Sequence, residues 1–201
     1  MRTLTKEEQD KITPDKALEL LKKGNQRFVD NNRHHRDLVL QANMTRDGQF
    51  PFAALLGCID SRAPAEHIFD QGIGDIFNVR VAGNIVNEDV LGSLEYACRV
   101  AGSKIILVMG HTGCGAVTSA TKNVEMGNIT ALLSKIKPAI INYKSENTEE
   151  LDVDKIAKYN VQNSIQRILS ESPILEEMFK NDEIMIAGAI YDVGSGEVNF
   201  F

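Results

Sequence analysis

Ile105-Ile106-Leu107-Val108-Met109-Gly110-His111-Thr112-Gly113-Cys114-Gly115 is an aliphatic run that breaks into a glycine-rich turn carrying an imidazole and a thiol. Five apolar residues in a row read as a strand covered on both faces, which belongs to a parallel sheet. The same grammar appears upstream. Phe52-Ala53-Ala54-Leu55-Leu56 runs through Gly57 into Cys58-Ile59-Asp60-Ser61-Arg62. Two soft sulfurs and one imidazole delivered from neighbouring strand ends make three ligands of the kind zinc prefers. Three protein ligands leave a fourth position open, which is how a catalytic rather than a structural zinc is built. His111-x-x-Cys114 alone is a weak signal; Cys58 at a second strand end, with glycines at 57, 110, 113 and 115, strengthens it.

Asp60 and Arg62 stand two apart, so in an extended segment their side chains point the same way. An arginine partner keeps a carboxylate ionised. Asp60 can then accept a hydrogen bond from water on the metal, or ligate the metal as a fourth ligand in a closed state. An exposed ion pair is the plainer reading of Asp-x-Arg, and its position beside a ligand cysteine argues against it.

Bulk properties bound the rest. The 201 residues suit one domain (1–201) with a helical amino-terminal arm over about 1–35. The chain is 43% hydrophobic and 25% charged, ordinary for a globular protein. A net charge of −6 and the lack of a basic run argue against a nucleic-acid partner. No apolar stretch reaches a membrane span, and residues 1–8 carry no apolar leader core, so a cytoplasmic location without a membrane partner is expected. Three cysteines are too few and too odd for a disulfide framework and fit a reducing compartment. Asn43-Met44-Thr45 and Asn128-Ile129-Thr130 match a glycosylation pattern that has no meaning without secretion.

Along the chain, Thr13-Pro14-Asp15 starts a long helix carrying Ala17, Leu18, Leu21 and Phe28 to about Asn31. It could cover its own domain or lie across a partner. Residues 31–48, with His34 and His35, read as a polar loop. Pro64 opens a short helix ending near Phe69, and a strand follows over 75–81. Gly72 and Gly74 do not make a dinucleotide loop, because Phe77 replaces the third glycine and a strand follows. Asn87 caps a helix whose apolar stripe includes Cys98, a core thiol rather than a ligand. A helix follows Cys114 directly. Asn128 reads as the next cap, a long helix runs from Val153 to Leu169, a buried strand spans 184–190, and Gly194-Ser195-Gly196 turns into a last strand. The expected fold is α/β: a mainly parallel sheet of about four strands plus an antiparallel C-terminal edge strand, with helices on both faces. Ligand sites in such sheets form at the carboxyl strand ends.

Cys58-x-Asp60-x-Arg62 with His111-x-x-Cys114 resembles the signature of the β-class carbonic anhydrases. Cys58 to Glu66, Gly72 to Asp75, Arg80-Val81-Ala82-Gly83-Asn84, Ser93 to Ala97, Gly110 to Ala116 and Tyr191-Asp192-Val193 extend the match. The resemblance implies a zinc enzyme that reversibly hydrates carbon dioxide to bicarbonate and a proton by attack of zinc hydroxide. Cys58, His111 and Cys114 would hold the Zn2+, and Asp60 and Arg62 would orient the nucleophile. Gln49, Phe77 and Tyr96 would line the substrate pocket, partly across subunits of a homodimer or tetramer. Read alone, these three are a polar loop residue, a strand residue and a helix-packing residue. Ala63 and Val81 replace residues common in the family, and Leu55 stands where members regulated by bicarbonate carry tryptophan. His34, His35 and His67 are equal candidates for a proton shuttle. A closed state with Asp60 on the zinc would lower activity at low pH. Rival readings are a hydrolase of carbon disulfide or carbonyl sulfide on the same scaffold, and a zinc-binding homologue without activity.

Overall fold

The computed structural model describes residues 3–201; Met1 and Arg2, part of the stretch read for a leader core, lie outside the described residues. The order of elements is α1 (Lys6–Asp10), α2 (Pro14–Val29), α3 (Leu38–Met44), β1 (Ala53–Gly57), α4 (Ala65–Ile68), β2 (Ile76–Arg80), α5 (Glu88–Glu95), β3 (Ile105–His111), α6 (Gly115–Thr121), α7 (Gly127–Ser134), α8 (Lys137–Glu146), α9 (Val153–Glu171), α10 (Pro173–Lys180), β4 (Met185–Tyr191) and β5 (Val198–Phe200). The strands form one sheet in the order β2-β1-β3-β4-β5. All neighbours are parallel except β4 and β5. The expected fold class is the one observed.

Strand alternation sorts the core into two layers. Ala53, Leu55, Ile105, Leu107 and Met109 face α2 and α4, where Ala17, Leu21, Ala65 and Ile68 are buried. Ala54, Leu56, Ile106 and Val108 face α5, α9 and α10 through Leu94, Val161, Ile168 and Leu175. β1 and β3 are therefore buried on both sides, as their unbroken apolar runs require. The open choice over α2 is settled: it covers its own sheet. Asn25 on this helix donates from Nδ2 to Gly196 O at 2.9 Å and accepts Val198 N–H on Oδ1 at 2.9 Å, tying α2 to β5.

Several readings need correction. Residues 31–48 are not all loop, because Asp37 accepts the Leu40 N–H and starts α3. Its apolar residues escape a periodicity reading because Leu38, Val39 and Leu40 are 50%, 82% and 53% exposed, facing no core of this chain. α1 adds a helix ahead of Thr13, begun by the reciprocal capping box of Thr5 and Glu8. Asn128 lies inside α7, whose cap position is Met126. The helix of Cys98 ends in a π-helical turn, Tyr96–Val100.

α9 lies close across β3. A Cβ on Gly110 would stand 2.9 Å from Ile190 Cδ1 and 3.0 Å from Val161 Cγ2, so a methyl there would make these side chains give way. No helix among the described residues is long and apolar enough to cross a membrane.

Candidate metal centre

Cys58 follows β1, His111 is the last residue of β3, and Cys114 is the cap position of α6. Since β1 and β3 pair in register from Ala53↔Ile105 to Gly57↔Met109, their ends reach the same edge of the sheet. There the ligand atoms of Cys58, His111 and Cys114 lie within 4.8 Å of one another, all buried. Cys58 and Cys114 are free thiols.

The chemistry of this donor set fits zinc. His111 Nδ1 lies 3.0 Å from the Thr112 carbonyl oxygen, which only accepts, so Nδ1 carries the hydrogen and Nε2 keeps its lone pair. Nε2 is buried and has no hydrogen-bond partner among the described residues, as suits a nitrogen that ligates a metal. The two sulfurs act on each other. The Cys114 thiol, aided by the N–H groups of Gly83 and Asp60, holds the Cys58 thiol low, while Cys58 pushes Cys114 up. Burial opposes a charge on the His111 ring, but the facing Cys58 sulfur raises its pKa overall. A divalent cation would displace the thiol protons and supply a charge that all three donors can face.

Asp60 and Arg62 sit at the rim. Arg62 Nε donates to Asp60 Oδ1 at 2.9 Å and Nη2 to Oδ2 at 2.8 Å, and the Arg62 backbone N–H adds a third bond to Oδ1 at 2.9 Å. This bidentate grip holds the carboxyl far below the usual carboxylate range, against the opposing effect of burial. The Asp60 side chain is 17% exposed and the Arg62 side chain 53%.

Gln49, Phe77 and Tyr96 are not brought to this centre within one chain. Gln49 is exposed ahead of β1, beside Gly74 ahead of β2, at the amino ends of the strands. Five residues of strand at about 3.3 Å each separate that edge from Cys58. Phe77 and Tyr96 pack edge to face at 6.4 Å beside the outer strand β2 and line an open hollow there.

Three further groups support the centre. Arg80 Nε donates to Cys58 O at 2.9 Å and Nη2 to Asp60 O at 2.5 Å, bracing the first loop. Gly83 N–H donates to Cys58 Sγ at 3.3 Å. Asp154 Oδ1 accepts the Gly113 N–H at 2.7 Å. Arg80 and Gly83 fall in a matched motif, but Asp154 lies far outside any.

The chain is similar to known proteins. A family model described as carbonic anhydrase matches residues 53–198. The carbonic anhydrase 2 of Mycobacterium tuberculosis is 33% identical over 190 residues, which is 91% of this chain and 90% of that protein. A β-carbonic anhydrase of Aspergillus fumigatus has a TM-score of 0.73 at 27% identity, covering 81% of each chain. A structure of tetrameric β-carbonic anhydrases from Sordaria macrospora has a TM-score of 0.72 at 27% identity, covering 81% of this chain and 90% of that one.

Proposed function

The chain belongs to the carbonic anhydrase family, in its β class, and from that premise we propose that it hydrates carbon dioxide reversibly to bicarbonate and a proton at Cys58, His111 and Cys114. The observation that carries the reading is the buried His111 Nε2, without a hydrogen-bond partner among the described residues, between two thiols, with an arginine-held carboxylate beside it. Zinc held by these three side chains supplies a Lewis acid that brings the pKa of water to about 7.

The remaining work falls to the chain. Asp60, ionised and gripped by Arg62, can only accept hydrogen bonds. Water beside it must give Asp60 a hydrogen, which turns a lone pair outward for the carbon of carbon dioxide. Arg62 keeps Asp60 from collapsing onto the metal as a fourth ligand. Loss of that grip would close the site. The product proton leaves to solvent, and no histidine among His34, His35 and His67 is favoured as its carrier.

Gln49, Phe77 and Tyr96 complete the pocket if a second copy docks antiparallel along the free edge of β2, since that inverts the sheet and carries an amino-end Gln49 to a carboxyl-end site. The exposed apolar residues Leu38, Val39 and Leu40, with Ile73 and Tyr96, support such a homodimer, and pairs of dimers would give tetramers. The three buried free thiols favour a reducing compartment, which we read as the cytoplasm.

The test is stopped-flow hydration of carbon dioxide with a pH indicator, beside metal analysis, on the wild type and Asp60→Ala. One zinc per chain, fast hydration at alkaline pH and a large loss in the variant support the reading. Zinc without hydration redirects it to carbon disulfide or carbonyl sulfide, and absence of zinc ends it.

A further inference from the structure

The ligands come from two loops on different strands, and a metal centre tolerates misplacement of about half an ångström. The hydrogen-bonded braces that join the two loops to a common support run to one helix. We propose that α9 is the frame of the metal centre and that Asn160 and Asp154 are positioning residues, each fixing one ligand loop. The inference rests on the zinc reading above.

Asp154 stands in the first turn of α9, oriented by Asp152, whose Oδ1 accepts the N–H groups of Asp154 and Lys155 at 3.0 Å. Its own Oδ1 takes the Gly113 N–H at 2.7 Å. Gly113 lies between His111 and Cys114 at φ +62°, and its carbonyl receives Arg62 Nη2 at 3.5 Å. The peptide linking the imidazole to the second thiol is therefore held from both sides.

Asn160 lies six residues further along α9, about a third of the way round the helix from Asp154, and is 1% exposed. Its Nδ2 donates to Gly83 O at 2.7 Å, and Gly83 N–H donates to Cys58 Sγ at 3.3 Å. Ser164 Oγ bonds Asn84 O at 2.9 Å and Arg167 Nη1 bonds Val86 O at 2.8 Å, so residues 83–86 are lashed along the helix. Asn160 Oδ1 has no partner among the described residues. A half-satisfied buried amide is a cost an apolar residue would avoid, so the single bond to Gly83 is what the amide contributes. α9 is itself fixed against β3 by the close approach at Gly110.

The test measures zinc release to a chromophoric chelator and the absorption spectrum of the cobalt(II)-substituted protein. The variants are Asn160→Leu, Asp154→Ala and Asp154→Asn, and thermal melting of each metal-free protein is followed in parallel. Zinc should leave Asn160→Leu about 10- to 100-fold faster, the range for loss of a group that orients a ligand. Its cobalt bands should shift while the metal-free melting temperature holds. Asp154→Ala should do the same to a smaller degree, its carboxylate being exposed, and Asp154→Asn should restore release because its Oδ1 still accepts. Wild-type release and spectra in Asn160→Leu and Asp154→Ala overturn the inference, as does faster release that merely tracks lost metal-free stability. If Asn160→Leu fails to fold, the Asp154 pair decides alone. A wild type that binds no zinc overturns the zinc reading and this inference with it.

Discussion

Asp60 Oδ2 stands 3.8 Å from His111 Nε2, on the side of the imidazole that has no hydrogen-bond partner among the described residues. The carboxylate thus borders the metal position while both its oxygens lean away onto Arg62. Asp60→Asn keeps the shape but adds donor hydrogens and removes the charge. We expect kcat for hydration to fall by about 10²-fold or more while bound zinc stays near one per chain. Wild-type kcat in that variant would show that the dyad is only a rim ion pair.

The thiols should separate cleanly. Cys58→Ser, His111→Ala and Cys114→Ser should each purify with little zinc. Cys98→Ala should keep the wild-type content, because the Cys98 thiol is buried in apolar packing that pushes its pKa up to about 12. Metal analysis reads this directly; loss of zinc in Cys98→Ala would contradict it.

A pocket shared between subunits predicts complementation. Gln49→Ala and Asp60→Asn should each hydrate poorly alone. Unfolded together and refolded as an equal mixture, they should regain about a quarter of wild-type activity, since half the dimers are mixed and each of those has one intact site. No gain above the average of the two variants would mean that Gln49 serves its own chain or none.

Acid stability should depend on Asp70, whose side chain is 2% exposed between Arg27 and Arg36. Burial alone would push this carboxyl up, but the two guanidiniums and the His34 N–H together hold it below the usual carboxylate range. A lowered folded pKa gives stability that is present above the unfolded value near 3.9 and lost as pH falls through the folded one. Asp75 acts in the opposite sense, since burial raises it. Asp70→Asn leaves Arg36 buried without its counter-charge and should cost about 3 kcal/mol at pH 7. Its denaturant midpoint should also fall less steeply between pH 5 and 2 than the wild type's. Parallel curves would assign the acid limb to other carboxylates.

Gly110→Ala should destabilise by about 1–3 kcal/mol in urea unfolding, because the new methyl group meets Ile190 and Val161 below ordinary contact. An unchanged midpoint would mean that α9 can lift off the sheet freely.

What the sequence shows of this protein is what local pattern can carry. β1 and β3 announce themselves because strands buried on both faces are continuously apolar, and the ligands follow at their ends. α3 stays hidden because Leu38, Val39 and Leu40 answer to no surface of their own chain. Asp154 and Asn160 are invisible for another reason. Each is an ordinary helix residue until the fold sets it against a glycine 41 or 77 positions away.

The amide of Asn25 has a bearing on how the molecule comes together during synthesis. It spans 173 positions to reach Val198, serving β5 as a neighbouring strand would. α2 can coil early and its buried amide can reach Ile68 O, at 3.2 Å, soon after, but the bonds to Gly196 and Val198 wait until residues 196–198 have left the ribosome. Bringing such distant segments together carries a loop-closure cost that is met late. The last seam to close is therefore the one between the earliest long helix and the final strand. Nascent chains held just short of residue 196 should expose the α2 face of the sheet to proteases or chaperones.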